Sequence, residues 1–309
     1  MMEKYLASFL CFLLSGYILI AQEIKQFTLE DFDLRGNVKQ CQVITDYGSE
    51  VFEFDTSGRL LTSITQYNET DRDVTVYTYE NGELTEKRTE SFKDNTLDLA
   101  SSMAYLYNTD STDHKIVREK IISYDKEFLE TQEYHFDDGN RLNRIVISHQ
   151  DAVDEVTIEY TSYKNEVTKT FLENGVIQKS VRESRSKNAR GEELKTILTK
   201  EYLDGEPDKA VEERFNERQK IVVKEVFSFD ATEKQFATQE KHSYRYDNDG
   251  FLVKEITQRG NAEGEREYIY QFDSAPEKNW VKKIITPDNT YVTRRVHYYT
   301  AEEEQENPQ

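Results

Sequence analysis

Apolar residues recur at every second position in short runs along this chain, and many of these runs end at a Gly-bearing turn. The clearest copies are FEFDTSGRLLTSI from Phe52, YTYENGELTEK from Tyr77, YHFDDGNRLNRIVI from Tyr134 and YRYDNDGFLVKEI from Tyr244. Alternation with a period of two puts the paired aromatics on one side of a strand, and the turn brings the next strand back beside it. Each unit is therefore predicted to be a β-hairpin. Eroded copies lie between them, at 115–124, at 171–176, at 220–230 with IVVKEVFSFD, and at 268–286 with YIYQFD and NWVKKIIT. Together they predict an all-β protein, an antiparallel meander of repeated hairpins forming a large twisted, curled sheet or a partial barrel or shell. Open sheets of well over ten strands usually curl or split.

The pattern weakens in four places. In 22–37, Thr28-Leu29-Glu30-Asp31 is suited to capping a single helical turn, which Asp33 to Asn37 ends before a first strand at Val38–Thr45. Clusters of Asp, Ser, Thr and Asn make 95–113 read as a loop, and 184–193 reads as a second one. Asp208 offers a cap for a helix over 207–220, but Val211 and Phe215 give no sustained helical stripe, so strand and turn are predicted there. The clear units are unevenly spaced, 25 residues from Phe54 to Tyr79, 57 from Tyr79 to Phe136 and 24 from Tyr246 to Tyr270, which suits stacked supersecondary repeats with an insertion.

The turns carry their own chemistry. In Asp55-Thr56-Ser57-Gly58 the carboxylate is placed to accept the backbone N–H two residues on, and Gly58 supplies a positive φ, while Asn81-Gly82 and Asn174-Gly175 are the two-residue version. Asp137-Asp138 and Asp247-Asn248-Asp249 invite a calcium reading. A calcium loop takes six to eight oxygens, which these tetrapeptides do not supply alone, so turns are preferred and no metal or other cofactor is assigned.

Composition adds an export signal and an acidic surface. Residues 5–20 form an almost unbroken apolar run after a segment carrying one cation, Lys4, and Ala21 offers a cleavage point, so 1–21 reads as a signal peptide, with an uncleaved anchor as the alternative. Residues 22–300 read as a single repeat-built domain and 301–309 as a disordered acidic tail. No second apolar stretch follows, so no stable membrane span is expected once the signal is removed. Cys41 is then the lone cysteine and reads as a small buried residue, which leaves no intrachain disulfide even in an oxidising compartment. The formal charge of −20, from 60 acidic against 40 basic residues, repels phosphate backbones and makes nucleic acid an unsuitable partner.

Phe54-Asp55-x-x-Gly58-Arg59-Leu60 and Tyr246-Asp247-x-x-Gly250-Phe251-Leu252 resemble the tyrosine-aspartate repeat of YD-repeat, or RHS-like, proteins of bacterial surfaces and secreted toxins. The resemblance covers about half of the mature chain and implies strands that coil into a long sheet able to close into a shell. This chain lacks the family's Asp-Pro-x-Gly element, a self-cleaving core and a toxin domain, so encapsulation of a toxin is not implied. The residues carried over are structural and none is catalytic.

Two functional readings follow. One is a non-enzymatic exported module of the periplasm or cell exterior that binds another protein, for instance by adding a strand to an uncovered sheet edge. The alternative is a carbohydrate-binding module in which Tyr244, Tyr246, Tyr268 and Tyr270 line a concave face and Trp280 is the exposed stacking residue. The default reading of the aromatics is a plain core whose hydroxyls reach solvent or a partner at the rim. Among the five histidines no metal-ligand spacing occurs, and no nucleophile or phosphate-loop motif is present, so no catalytic residue is assigned. His135, between Tyr134 and Phe136, is predicted to lie on the opposite, polar face.

Overall fold

The structure is a computed structural model that describes residues 25–188 and 191–306; the predicted signal peptide at 1–21 lies outside them. A short 3-10 turn at Leu29–Phe32 precedes β1 (Val38–Thr45), β2 (Gly48–Phe54), β3 (Leu60–Gln66), β4 (Arg72–Glu80) and β5 (Glu83–Lys93). Then follow β6 (Thr96–Asp110), β7 (Ile116–Ser123), β8 (Phe128–Phe136), β9 (Leu142–Ser148) and β10 (Val153–Tyr163). The next five are β11 (Glu166–Glu173), β12 (Val176–Lys187), β13 (Glu193–Leu203), β14 (Glu206–Phe215) and β15 (Ile221–Asp230). The last are β16 (Gln235–Tyr246), β17 (Leu252–Arg259), β18 (Ala262–Phe272), β19 (Trp280–Thr286) and β20 (Thr290–Tyr298), after which the chain turns into a helix, α1 (Ala301–Glu306), where a frayed tail is predicted.

Each strand pairs antiparallel with its sequence neighbour, and β1 also pairs with β20, Cys41 opposite Val296 and Val43 opposite Arg294. The meander therefore closes into a twenty-stranded barrel rather than a curled or partial sheet. Closure has a direct consequence for the strand-addition idea: no edge of the sheet is left open among the described residues to accept a partner's strand. The stretch predicted as a loop at 95–113 is mostly β6. Its polar residues satisfy one another in a wide bulge, where Ser102 Oγ donates to the Asp98 carbonyl at 2.8 Å and accepts the Ser91 N–H at 3.1 Å. The 207–220 segment is strand and turn, as the missing helical stripe implies.

At one end of the barrel five turns share one construction. An aromatic closes a strand, an Asp or Asn follows, and the register shifts by a bulge so that the aromatic faces the residue after the turn: Phe54 and Leu60, Phe136 and Leu142, Phe215 and Ile221, Tyr246 and Leu252, Phe272 and Trp280. In the Asp55 turn one carboxylate oxygen accepts the N–H of Ser57 and of Arg59, each at 2.9 Å. Asp137, Asn216 and Asp247 repeat this pair of bonds. The left-handed residue is Gly58 or Gly250 in two of them, but Asn140 and Gln219 in the others, so Gly139 is one position early for that role.

The apolar alternation puts most of the buried side chains on one face, including Cys41, Phe54, Ile145, Val156, Ile158 and Trp280. The N-terminal segment shows that this face is the inner one. Gln26 Nε2 donates to the Gly82 carbonyl in the β4–β5 turn at 3.1 Å, while Asp33 lies 3.5 Å from Lys220 Nζ in the β14–β15 turn. Those turns are ten strands apart, about 50–60 Å along the wall. Seven residues cannot follow the wall that far, so the segment crosses the mouth, with the Gln26 and Lys220 side chains completing the reach at its two ends. Along the way Phe27, Leu29, Phe32 and Leu34 pack on Phe52, Phe54 and Leu60, and Thr28 bridges to Arg59. Arg35 reaches the far side, donating to the Asp249 carbonyl at 2.7 Å and exchanging bonds with Asn279 at 2.8 Å. The segment is a strap across one mouth.

Candidate functional site

Every broad strand contact is between ring neighbours, so the twenty strands enclose an interior that the strap spans at one mouth. The inner wall thus lines a lumen, and it mixes rings with charges. Tyr244 faces Glu255 across the β16–β17 pair, Tyr270 faces Lys283 across the β18–β19 pair, and Lys179 faces Glu201 across the β12–β13 pair.

The five residues singled out from the sequence come together here, on β16, β18 and β19 beneath the strap, but in a different state from an open platform. Trp280 is only 4% exposed. Its ring is covered by the Arg294 guanidinium at 3.6 Å and approached edge-on by Tyr270 at 6.0 Å, so it has no free face for a sugar. The tyrosines are half-buried, and three have committed hydroxyls: Tyr246 donates to the Ile221 carbonyl at 2.8 Å, Tyr270 to the Leu252 carbonyl at 2.9 Å and Tyr268 to Glu255 at 2.7 Å. Tyr244 lies parallel to the His242 ring, 6.0 Å away. Burial pushes the Tyr246 phenol up to about 12 and raises Tyr244, Tyr268 and Tyr270 as well, so all four are neutral donors across the physiological range.

His242, which no motif singles out, sits between two carboxylates, 2.9 Å from Glu240 and 2.8 Å from Glu255. The hydrogen bond from His242 is the largest influence holding the Glu255 carboxyl below its usual range, against the opposing effect of burial. His135 lies on the outer wall beside Glu133, as its alternation predicts.

Sequence reasoning also missed two cations. Lys283 stands opposite Tyr270 and Val292, and Arg294 stands opposite Val43, whose other partner is Glu50. The Lys283 ammonium is 5.2 Å from the Trp280 ring, on which Arg294 also rests. Burial, reinforced by the neighbouring guanidinium, pushes Lys283 down to about 8, and burial lowers Arg294 too. The legible signal was parity: in YVTRRVHY, Arg294 falls in step with the inward Val292 and Val296, whereas Arg295 points out.

The outer wall is of another kind. Arg118 pairs with Glu133 at 2.7 Å, Arg144 with Glu155 at 2.6 Å, Lys241 with Glu225 at 3.1 Å, and Lys254 with Glu265. These join neighbouring strands on the side facing away from the lumen. No helix among the described residues is long and apolar enough to cross a membrane, and no group of three or more metal-ligating side chains occurs among them.

No family model matches the chain, and no curated protein matches it. Among solved structures it is similar to a porin-like protein from Bacteroides uniformis, with 8% identity, a TM-score of 0.31 and coverage of 84% of this chain and 98% of that one. A porin-like protein from Bacteroides vulgatus is similar at 8% identity and a TM-score of 0.24, over 85% of this chain and 98% of that one. Overlaps this loose carry no argument, and the barrel rests on the strand pairing itself.

Proposed function

We propose that the protein is a non-enzymatic, exported β-barrel of the bacterial envelope or exterior that stands in water and acts as a binding or structural module through its lumen. The observation that carries this reading is the row of ion pairs on the outside of a closed ring. A barrel that faces lipid needs an outward apolar band about 25 Å tall, and each Arg or Lys at the bilayer midplane costs about 2–4 kcal/mol. Export rests on the apolar run at 5–20. The kinship with YD-repeat proteins is part of the proposal, supported by the five aromatic–Asp/Asn turns built alike at one mouth.

Closure removes strand addition as the mode of binding and leaves the lumen as the surface for a protein or peptide guest. The carbohydrate reading has less support, because Trp280 is covered and three of the four tyrosine hydroxyls are already engaged. The test is partition. Purified without detergent, the chain is expected to be monodisperse and to stay in the dense fraction when spun with phospholipid vesicles. Flotation with the vesicles, or a requirement for detergent, overturns the proposal.

A further inference from the structure

We propose that Arg294 and Lys283, set against the Trp280 ring on the inner wall, form a subsite for an oxyanion, a carboxylate or phosphate group carried by a guest of the lumen. This inference rests on the lumen being the binding face and adds the chemistry of what it holds.

Three observations converge. The Nε and Nη1 atoms of Arg294 are shut off from solvent yet make no hydrogen bond to the protein. Buried donors are nearly always satisfied, and a guanidinium N–H left bare costs more than a neutral one. A guanidinium left short of acceptors on two of its nitrogens favours an oxyanion, the strongest acceptor it can take, and carboxylate and phosphate are the two common ones. Secondly, Arg294 and Lys283 sit together on adjacent strands, β20 and β19, around a single ring. Two like charges held this close repel unless an anion joins them, in a chain whose acidic groups outnumber its basic ones by 60 to 40. Thirdly, the ring fixes the fork: a guanidinium stacked at 3.6 Å is held flat, so little entropy is lost when its edge takes up an anion.

The groups that face the pair from the surrounding elements are Glu50 on β2, Tyr270 on β18, Cys41 on β1 and Asp33 on the strap. Asp33 approaches Lys220 at 3.5 Å with its side chain 62% exposed, so it is a solvated competitor for the cations rather than a buried counter-charge.

Trp280 is the only tryptophan in the chain, so its emission reports on this site alone. The purified chain is titrated with inorganic phosphate and, separately, with acetate, each against sodium chloride of equal ionic strength. The expected result is a saturable change in emission with at least one of the two oxyanions, absent with chloride; the responding anion identifies the headgroup class. Arg294→Gln is expected to weaken binding at least tenfold with an unchanged circular dichroism spectrum, and Asp33→Asn to tighten it a few-fold. If Arg294→Gln does not fold, Arg294→Lys and Lys283→Gln are read instead, each with a several-fold loss expected. A response that matches chloride, or binding that survives in every folded variant, overturns the subsite. That failure leaves the vesicle test untouched, because partition depends on the outer wall.

Discussion

The Tyr79 hydroxyl on β4 donates to the carbonyl of Leu60 on β3 at 2.8 Å, tying a strand to the first residue after the preceding turn. The same bond recurs from Tyr160 to Leu142, Tyr246 to Ile221 and Tyr270 to Leu252, at 2.8 to 2.9 Å. Arg59 and Arg141, from the turns themselves, cover the Tyr79 and Tyr160 rings at 4.9 and 5.0 Å. Where the second aromatic of a unit is a tyrosine, as at Tyr79, Tyr246 and Tyr270, it is a latch between neighbouring hairpins, whereas Phe54 and Phe136 fill the same position without a hydroxyl. Tyr79→Phe and Tyr160→Phe are each expected to cost about 1 kcal/mol in urea denaturation, and because the sites are far apart the double variant should cost their sum. A double variant no weaker than either single one would refute the latch.

Asp55 holds its turn through bonds that an alanine cannot make. Burial works against the carboxylate, yet the bonds from Ser57 and Arg59 hold it below its ordinary range. Asp55→Ala is expected to cost about 1–2 kcal/mol and Asp55→Asn less, since the amide oxygen keeps the acceptor for the two backbone N–H groups. A folded pKa below the unfolded one means that this stabilisation is present above the unfolded value and lost as pH falls through the folded one. Acid titration of wild type and Asp55→Asn should therefore converge at low pH.

Gln219 occupies the left-handed position of its turn, at a φ of 57°, where two sister turns use glycine. A side chain there is strained by about 1 kcal/mol. Gln219→Gly is expected to raise the melting temperature slightly, whereas Gly58→Gln in the sister turn lowers it, the added Cβ meeting Leu29 at 3.1 Å. Thermal melts of the two variants moving in the same direction would contradict this account.

Legibility followed the range of the interactions. Alternation in Tyr244-Arg245-Tyr246 fixed which side chains face inward, and Asn81-Gly82 fixed a two-residue turn with φ of 50° and 83°, because both are decided within a few residues. Pairing of Cys41 with Val296 was invisible, since closure depends on the summed twist and stagger of twenty strands and neither residue carries a mark of it. In β6, Ser102 and Asp98 imitate a loop in composition while bonding to one another inside a bulge. Arg294 carries no local mark of its place, since a cation in step with the inward Val292 and Val296 has the composition of the solvent side.

Cys41 gives access to the seam. It is 1% exposed between Phe52 and Val296, and burial raises its thiol pKa, so reaction with a thiol reagent requires the β1 seam to open. In a chain carrying Cys11→Ser, Phe52→Ala removes a buried ring, a loss of about 3 kcal/mol. Where opening precedes labelling, that corresponds to roughly a hundredfold faster modification of Cys41. Outer-wall Arg118→Gln, on β7 and six strands from β1, is expected to leave the rate within twofold.

Lys283 makes stability and anion binding move in opposite directions with pH. Its folded pKa is about 8, below its ordinary 10.5, because burial and Arg294 disfavour the ammonium. Below pH 8 both folded and unfolded chains carry the proton, and the folded state bears the full cost of a buried cation beside another. Between about 8 and 10.5 the unfolded chain binds more protons, so the contribution of this group to stability rises with pH across that window. The same deprotonation leaves Arg294 as the sole cation over Trp280, so phosphate or acetate affinity falls as pH climbs through 8. Lys283→Met removes the titrating group and is expected to flatten both slopes, measured as the difference in denaturation midpoint and in Trp280 emission titrations from pH 7 to 9.5. Parallel pH profiles in wild type and Lys283→Met would show that the slope arises elsewhere, with Asp33 and Glu50, the carboxylates that face the pair, the next residues to replace.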